Sequence, residues 1–178
     1  MTPEGKTFFQ QEPSAGNYSD SFYSKGIYGA GDVLGIEAYK TAGKTLFNKV
    51  LNAIREQTFR TDQQSFDPKN KVAFVPGKFP QGPRMIALGG LADMLAAEPA
   101  DRQWADTAEE FIRFIMENHV NHGQHAEVQM WDFVESLDSK NCCWKDGDMV
   151  FSDPGHALEF VGLAGKCLLI LQKQGRKA

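Results

Sequence analysis

Cysteine is scarce in this chain. It has three, two of them adjacent at Cys142 and Cys143 and one at Cys167 in an apolar stretch. An odd count without framework spacing excludes a disulfide scaffold and predicts reduced thiols. Basic charge is also short. Nineteen Lys and Arg stand against 23 Asp and Glu, for a net charge of -4. With no surplus of cations to neutralise phosphates, a nucleic-acid surface is not expected. The one basic cluster, Lys173, Arg176 and Lys177, reads as a solvated tail.

No apolar run reads as long enough to span a bilayer, so no membrane partner is expected. The opening residues, from Met1 to Thr7, lack the apolar core of a signal peptide, which points to a cytoplasmic protein. Low-complexity segments and tight repeats are lacking too. What remains is ordinary globular material in 178 residues, 42% apolar and 24% charged, enough for one domain with a real core.

The apolar spacing is helical over most of the length. Residues 1–16, with Pro3, Gly5, Pro13 and Gly16, read as an irregular lead-in. A helix is predicted from Tyr18, capped by Ser19 or Asp20, and weakened by Gly26, Gly29, Gly31 and Gly35. A second, from Ile36 to Phe59, carries Leu46, Val50, Leu51 and Ile54 at spacings of three and four. Prolines 68, 76, 80 and 83 break the pattern over residues 60–82. A third helix at about 83–97 is apolar nearly all round, and a fourth follows at about 101–119. Ala126 to Val134 reads as extended, and Asp146-Gly147 is a hairpin signal. A last helix spans about 155–172. The expected fold is all-α, a single domain over residues 1–178, with a small β-hairpin excursion near 126–150.

Three stretches stand out in order along the chain. They are Thr7-Phe8-Phe9 followed by Tyr18 to Tyr23, then Gly82-Pro83-Arg84-Met85-Ile86-Ala87-Leu88, then Asp153-Pro154-Gly155-His156-Ala157-Leu158-Glu159-Phe160. Together they resemble the N-acylglucosamine 2-epimerase family, the last matching its Pro-Gly-His-x-x-Glu motif. The resemblance implies an (α/α)6 barrel, of which this chain corresponds to the central part, an incomplete toroid. It implies interconversion of sugars at C2, or of aldoses and ketoses, with no redox cofactor and a monosaccharide or disaccharide as substrate. The family's second essential histidine belongs to a later segment, and no residue here stands in for it. Either the chain is a fragment of such a barrel, or a partner, for which a homodimer is one candidate, completes it, or this member no longer catalyses.

Proton abstraction beside a carbonyl needs a base titrating near neutrality, and histidine is the natural one. His156, at a helix start after Pro154-Gly155, is the candidate acid/base, beside N–H groups expected to be free. Glu159, one turn on, either orients it, holds sugar hydroxyls, or simply completes a cap. Arg84 is a candidate for sugar or enediolate oxygens, with an ion pair as the plain alternative. Glu127 resembles a glutamate at the barrel mouth, or is a solvated strand residue. Tyr18, Phe22, Trp131 and Trp144 suit stacking on a sugar ring, although aromatics on helix faces are more often core.

His119, His122 and His125 invite a zinc reading, but the array crosses a helix end and has no spaced acidic or cysteine partner, so no metal is expected. Two other classes stay open. One is a non-catalytic carbohydrate-binding or assembly protein. The other is a glycoside hydrolase or lyase using a pair among Asp20, Glu127 and Glu159.

Overall fold

The computed structural model describes residues 16–61 and 73–176. The Thr7-Phe8-Phe9 motif lies outside them. Five helices carry the fold: α1 Tyr18–Leu34, α2 Glu37–Arg55, α3 Gly82–Ala97, α4 Arg102–Asn118 and α5 Pro154–Lys173. All five stand where the periodicity places them. The cap of α1 is Asn17, not Ser19 or Asp20; its side chain accepts from the Asp20 N–H. An Asn one residue before the helix reaches the third helical N–H, which Ser19 and Asp20, already inside the helix, cannot do.

Two short connections fix the layout, because a tight link between helices makes antiparallel neighbours. Gly35 ends α1 in a left-handed conformation (φ 68) and α2 starts two residues later. Residues 98–101 join α3 to α4. The odd helices run parallel. Near their starts, a Cβ at Gly82 would lie 2.9 Å from the Tyr18 hydroxyl; near their ends, the Tyr28 hydroxyl donates to Glu98 at 2.9 Å. Likewise Cys167 Sγ meets the Leu88 carbonyl, and Gln174 Nε2 meets that of Leu95. α2 and α4 run together the other way, joined by Gln103 to Asn48 and Arg55 to Glu110. Thus α1, α3 and α5 form one layer with α2 and α4 behind it.

The core fills the space between the layers. Phe47 of α2 and Trp104 of α4 meet with ring centroids 6.2 Å apart. Gly90 of α3 lies under Phe47, where an added Cβ would come within 2.8 Å of its ring. Gly43 does the same for the α1–α2 contact, with Tyr28 Cβ at 2.7 Å from the position a Cβ would take. Both glycines let helices approach closely, as packing requires. α3 is buried on almost every side, as its composition predicts.

Residues 119–153 leave the bundle. Ala126 to Val134 is not an extended strand. It folds as turns around Asn121, whose buried Nδ2 donates to the carbonyls of His125, Val128 and Gln129. Its Oδ1 accepts from the N–H groups of Gly123 and His125. These bonds satisfy locally the groups a strand would have paired laterally. The hairpin at Asp146-Gly147 is present: β3 Lys145–Asp146 pairs with β4 Met149–Val150, with Gly147 at φ 64. A second small pair, β1 Phe79–Pro80 with β2 Ser136–Leu137, ties the excursion to the start of α3.

One sequence expectation is corrected. α5, at 20 residues, is long and apolar enough by length and composition to cross a membrane. It escapes notice in the sequence because Glu159, Lys166 and Lys173 interrupt the run. Here its Ala164, Cys167 and Leu171 are buried against the bundle, and Lys166 pairs with Asp93 of α3 at 2.7 Å.

Candidate functional site

The parallel layer brings the N-terminal ends of α1, α3 and α5 to one end of the bundle, and the excursion lies across it. There His156, half-exposed, has Nδ1 3.1 Å from Oε1 of Glu135. With a carboxylate as acceptor, Nδ1–H donates and Nε2 is left as the basic nitrogen. Glu135 is buried, its backbone held from two sides: its carbonyl accepts from Gln81 N–H and its N–H donates to the Phe151 carbonyl. Its second oxygen, Oε2, makes no hydrogen bond among the described residues. Burial pushes the Glu135 carboxyl above the usual glutamate range, while the neighbouring His156 and the Gln81 amide pull it down.

Tyr18 lies in the field of Glu135. Burial first, and that carboxylate second, hold its phenol protonated well above the ordinary tyrosine value. Its ring meets Phe59 edge-on at 5.1 Å. Phe22 follows one turn later, half-exposed beneath Lys25. The sequence thus finds His156 and Tyr18 but misses Glu135 and Gln81. The available signal for Glu135 is a carboxylate inside an apolar run, Phe133-Val134-Glu135-Ser136-Leu137.

The start of α5 is not an open anion site. Asp153 Oδ1 accepts from the N–H groups of Gly155 at 2.8 Å and His156 at 3.2 Å, so the N–H groups expected to be free are spent. Asp153, rather than Glu159, completes the cap. Glu159 is exposed and makes no hydrogen bond or ion pair among the described residues.

Other candidates are placed elsewhere. Glu127 sits in a turn, paired with Lys145 at 3.0 Å. Trp131 is 67% exposed with φ 74, its ring edge-on to His122 at 4.9 Å. Trp144 Nε1 donates to Asp146. Arg84 faces α4, its guanidinium 3.7 Å from the Phe114 ring centre.

The three clustered histidines do not converge. His119, His122 and His125 each donate a ring N–H to a different carbonyl, of Val134, Met116 and Asn118. Among the described residues no group of three or more His, Cys, Asp or Glu is placed to hold a metal ion. Burial raises the Cys167 thiol to about 12 and lifts Cys143 as well, so neither is an activated nucleophile. No protein-family model, no curated protein and no solved structure matches this chain.

Proposed function

We propose that the chain moves a proton beside a sugar carbonyl, as a carbohydrate epimerase or isomerase of the N-acylglucosamine 2-epimerase kind, with His156 as the acid/base. The observation that carries this reading is the contact between Nδ1 of half-exposed His156 and Oε1 of buried Glu135. A carboxylate on Nδ1 fixes the tautomer, leaves Nε2 basic, and stabilises the imidazolium once a proton arrives. Glu135 is a positioning residue in this scheme and does not touch the sugar.

In the proposed step the C2–H bond breaks and its proton passes to Nε2. The electron pair becomes the C1–C2 double bond of an enediolate, with the charge on oxygen. The neutral Tyr18 hydroxyl is suited to donate to that oxygen. The proton then returns from Nε2 to C1 on the same face while the C2 hydroxyl proton passes to the C1 oxygen, so that C2 becomes the carbonyl of a ketose. Return to the opposite face of C2 takes a second acid. His119, His122 and His125 are committed to carbonyls, so aldose–ketose interconversion is the form this geometry supports best. Three parallel helices backed by two antiparallel ones also suit part of an (α/α) toroid with its site at one mouth.

The test is exchange in D2O. N-acetylmannosamine, N-acetylglucosamine, mannose, glucose and cellobiose are incubated with the purified chain and the C2 proton is followed by NMR. Exchange that His156→Ala abolishes supports the reading; exchange retained in that variant, or absent with every sugar, ends it. A second reading, a carbohydrate-binding or assembly protein, is favoured by apolar side chains left exposed on α1 and α5: Val33 at 86%, Leu158 at 73%, Val161 at 64% and Leu169 at 60%. It predicts self-association by light scattering, without exchange.

A further inference from the structure

Arg84 is an anomaly among the cations of this molecule. Two other guanidinium groups hold carboxylates: Arg55 grips Glu110 through Nε and an Nη at 2.7–3.1 Å, and Arg176 holds Asp106 and Glu109 at 2.7 and 3.0 Å. Arg84 makes no hydrogen bond and no ion pair among the described residues. It is nonetheless largely withdrawn from water, against the faces of Phe114 at 3.7 Å and Phe111 at 5.7 Å. Two rings hold the plane of the group and leave its N–H fork unused. Among the described residues no carboxylate forms an ion pair with it, and Glu110, which acts on it only through its field, is held by Arg55.

The neighbourhood is positive. Arg55 lies on the same Phe111 ring, 5.6 Å from its centre, and Glu110 is already neutralised by Arg55. Burial lowers Arg84 to about 10, opposed by the Glu110 carboxylate and helped by Arg55, so it stays charged at neutral pH. A charged group this shielded is costly without a counter-charge, and the planar fork fits a two-oxygen partner. Arg84 faces α4 and makes no hydrogen bond or ion pair with His156 or Glu135.

We propose that Arg84, laid on Phe114 between α3 and α4, is the anchor of a second binding site, for a small oxyanion of the carboxylate or phosphate class. Cation–π stacking sets the plane of the fork in advance, so that little side-chain freedom is lost when the anion binds. The site takes one net negative charge to balance Arg84, Arg55 and Glu110 together.

The experiment is an NMR titration of the full, 15N-labelled chain, reading the Arg84 Nε–H resonance at ionic strength held constant with chloride. Inorganic phosphate and acetate are the two probes. A saturable shift with either supports the site; saturation by phosphate alone assigns a phosphate group, and saturation by both assigns the broader oxyanion class. Arg84→Gln is expected to abolish the accompanying rise in Tm. If that variant does not fold, Arg84→Lys keeps the charge without the fork and should bind about tenfold more weakly. Equal binding by the lysine variant, or no saturable shift with either anion, overturns the proposal and leaves Arg84 as a packing group on Phe114.

Discussion

The helical body and the excursion over residues 119–153 are held together by different physics. The body is a continuous apolar core. Phe47, Leu51, Leu88, Leu91, Trp104 and Phe111 are all at 1% exposure or less, and the helices satisfy their own backbones. The excursion has only Val134, Leu137 and Cys143 as a buried cluster of its own. It is organised by one buried amide, Asn121, and by pairs of two-residue strands. The body is therefore redundant, since many contacts share the load. The excursion depends on few groups, and it supplies Glu135, the carboxylate that positions His156. The proposed proton transfer would therefore rest on the less redundant region.

The largest effect is expected in the body. Phe47→Ala should cost roughly 3–5 kcal/mol, seen in urea unfolding as a lower midpoint for every probe together. A drop confined to one probe would show that the layers do not unfold as one unit.

A pH effect comes next, at the seam between the regions. Burial, the largest cause, holds His119 down at about 4, against 6.5 for a free histidine; its bond to the Val134 carbonyl opposes this. A histidine with a depressed folded value stabilises the fold above its unfolded value, and that stability is lost as pH falls. The wild-type chain should lose roughly 3 kcal/mol between pH 6.5 and 4 through this group. His119→Gln should flatten that part of the pH profile whatever its own stability at pH 7. An unchanged slope would mean that His119 is not the titrating group.

Asn121→Ala should cost roughly 2–3 kcal/mol, since it strips partners from three carbonyls and two N–H groups. The loss should be local: faster amide hydrogen exchange at residues 121–135, with the α2 and α3 amides unchanged. Uniform loss of protection would contradict the division into two regions.

The smallest stability change belongs to Glu135→Gln, and its sign is the informative part. Burial raises the Glu135 carboxyl, so the folded state binds its proton more readily than the unfolded state does. That stabilises the fold in acid and is lost as pH rises through the folded value. Glu135→Gln should therefore match or exceed wild type in Tm at pH 7, with the difference shrinking in acid. In the exchange assay the same variant should lose roughly tenfold to a hundredfold in rate, because the His156 ring loses the nearer of its two anionic partners, Asp153 remaining at 3.8 Å. A variant both less stable at pH 7 and equally active would remove Glu135 from its positioning role.

Legibility in the sequence divides along the same line. The five helices were readable because burial of one face repeats every three to four residues, as Val50, Leu51 and Ile54 show. α3 declared itself by being apolar throughout. The Asp146-Gly147 turn was readable because a tight hairpin needs a residue at ease with positive φ. The segment from Ala126 to Val134 was not. Its alternation suits a strand, but Asn121 captures its carbonyls first, and that competition depends on a fold a propensity does not contain.

The amino-acid sequence by itself determined the all-helical body, its approximate boundaries, and His156 at the head of the last helix. These follow from local periodicity and turn chemistry. The tertiary structure alone decided that Glu135, 21 residues earlier, is the carboxylate on the His156 ring. It alone gave Asp153 the cap and turned Arg84 away from that pair toward Phe114. Those outcomes depend on which helix ends meet and which side chains lose their water there, and both are properties of the assembled layers.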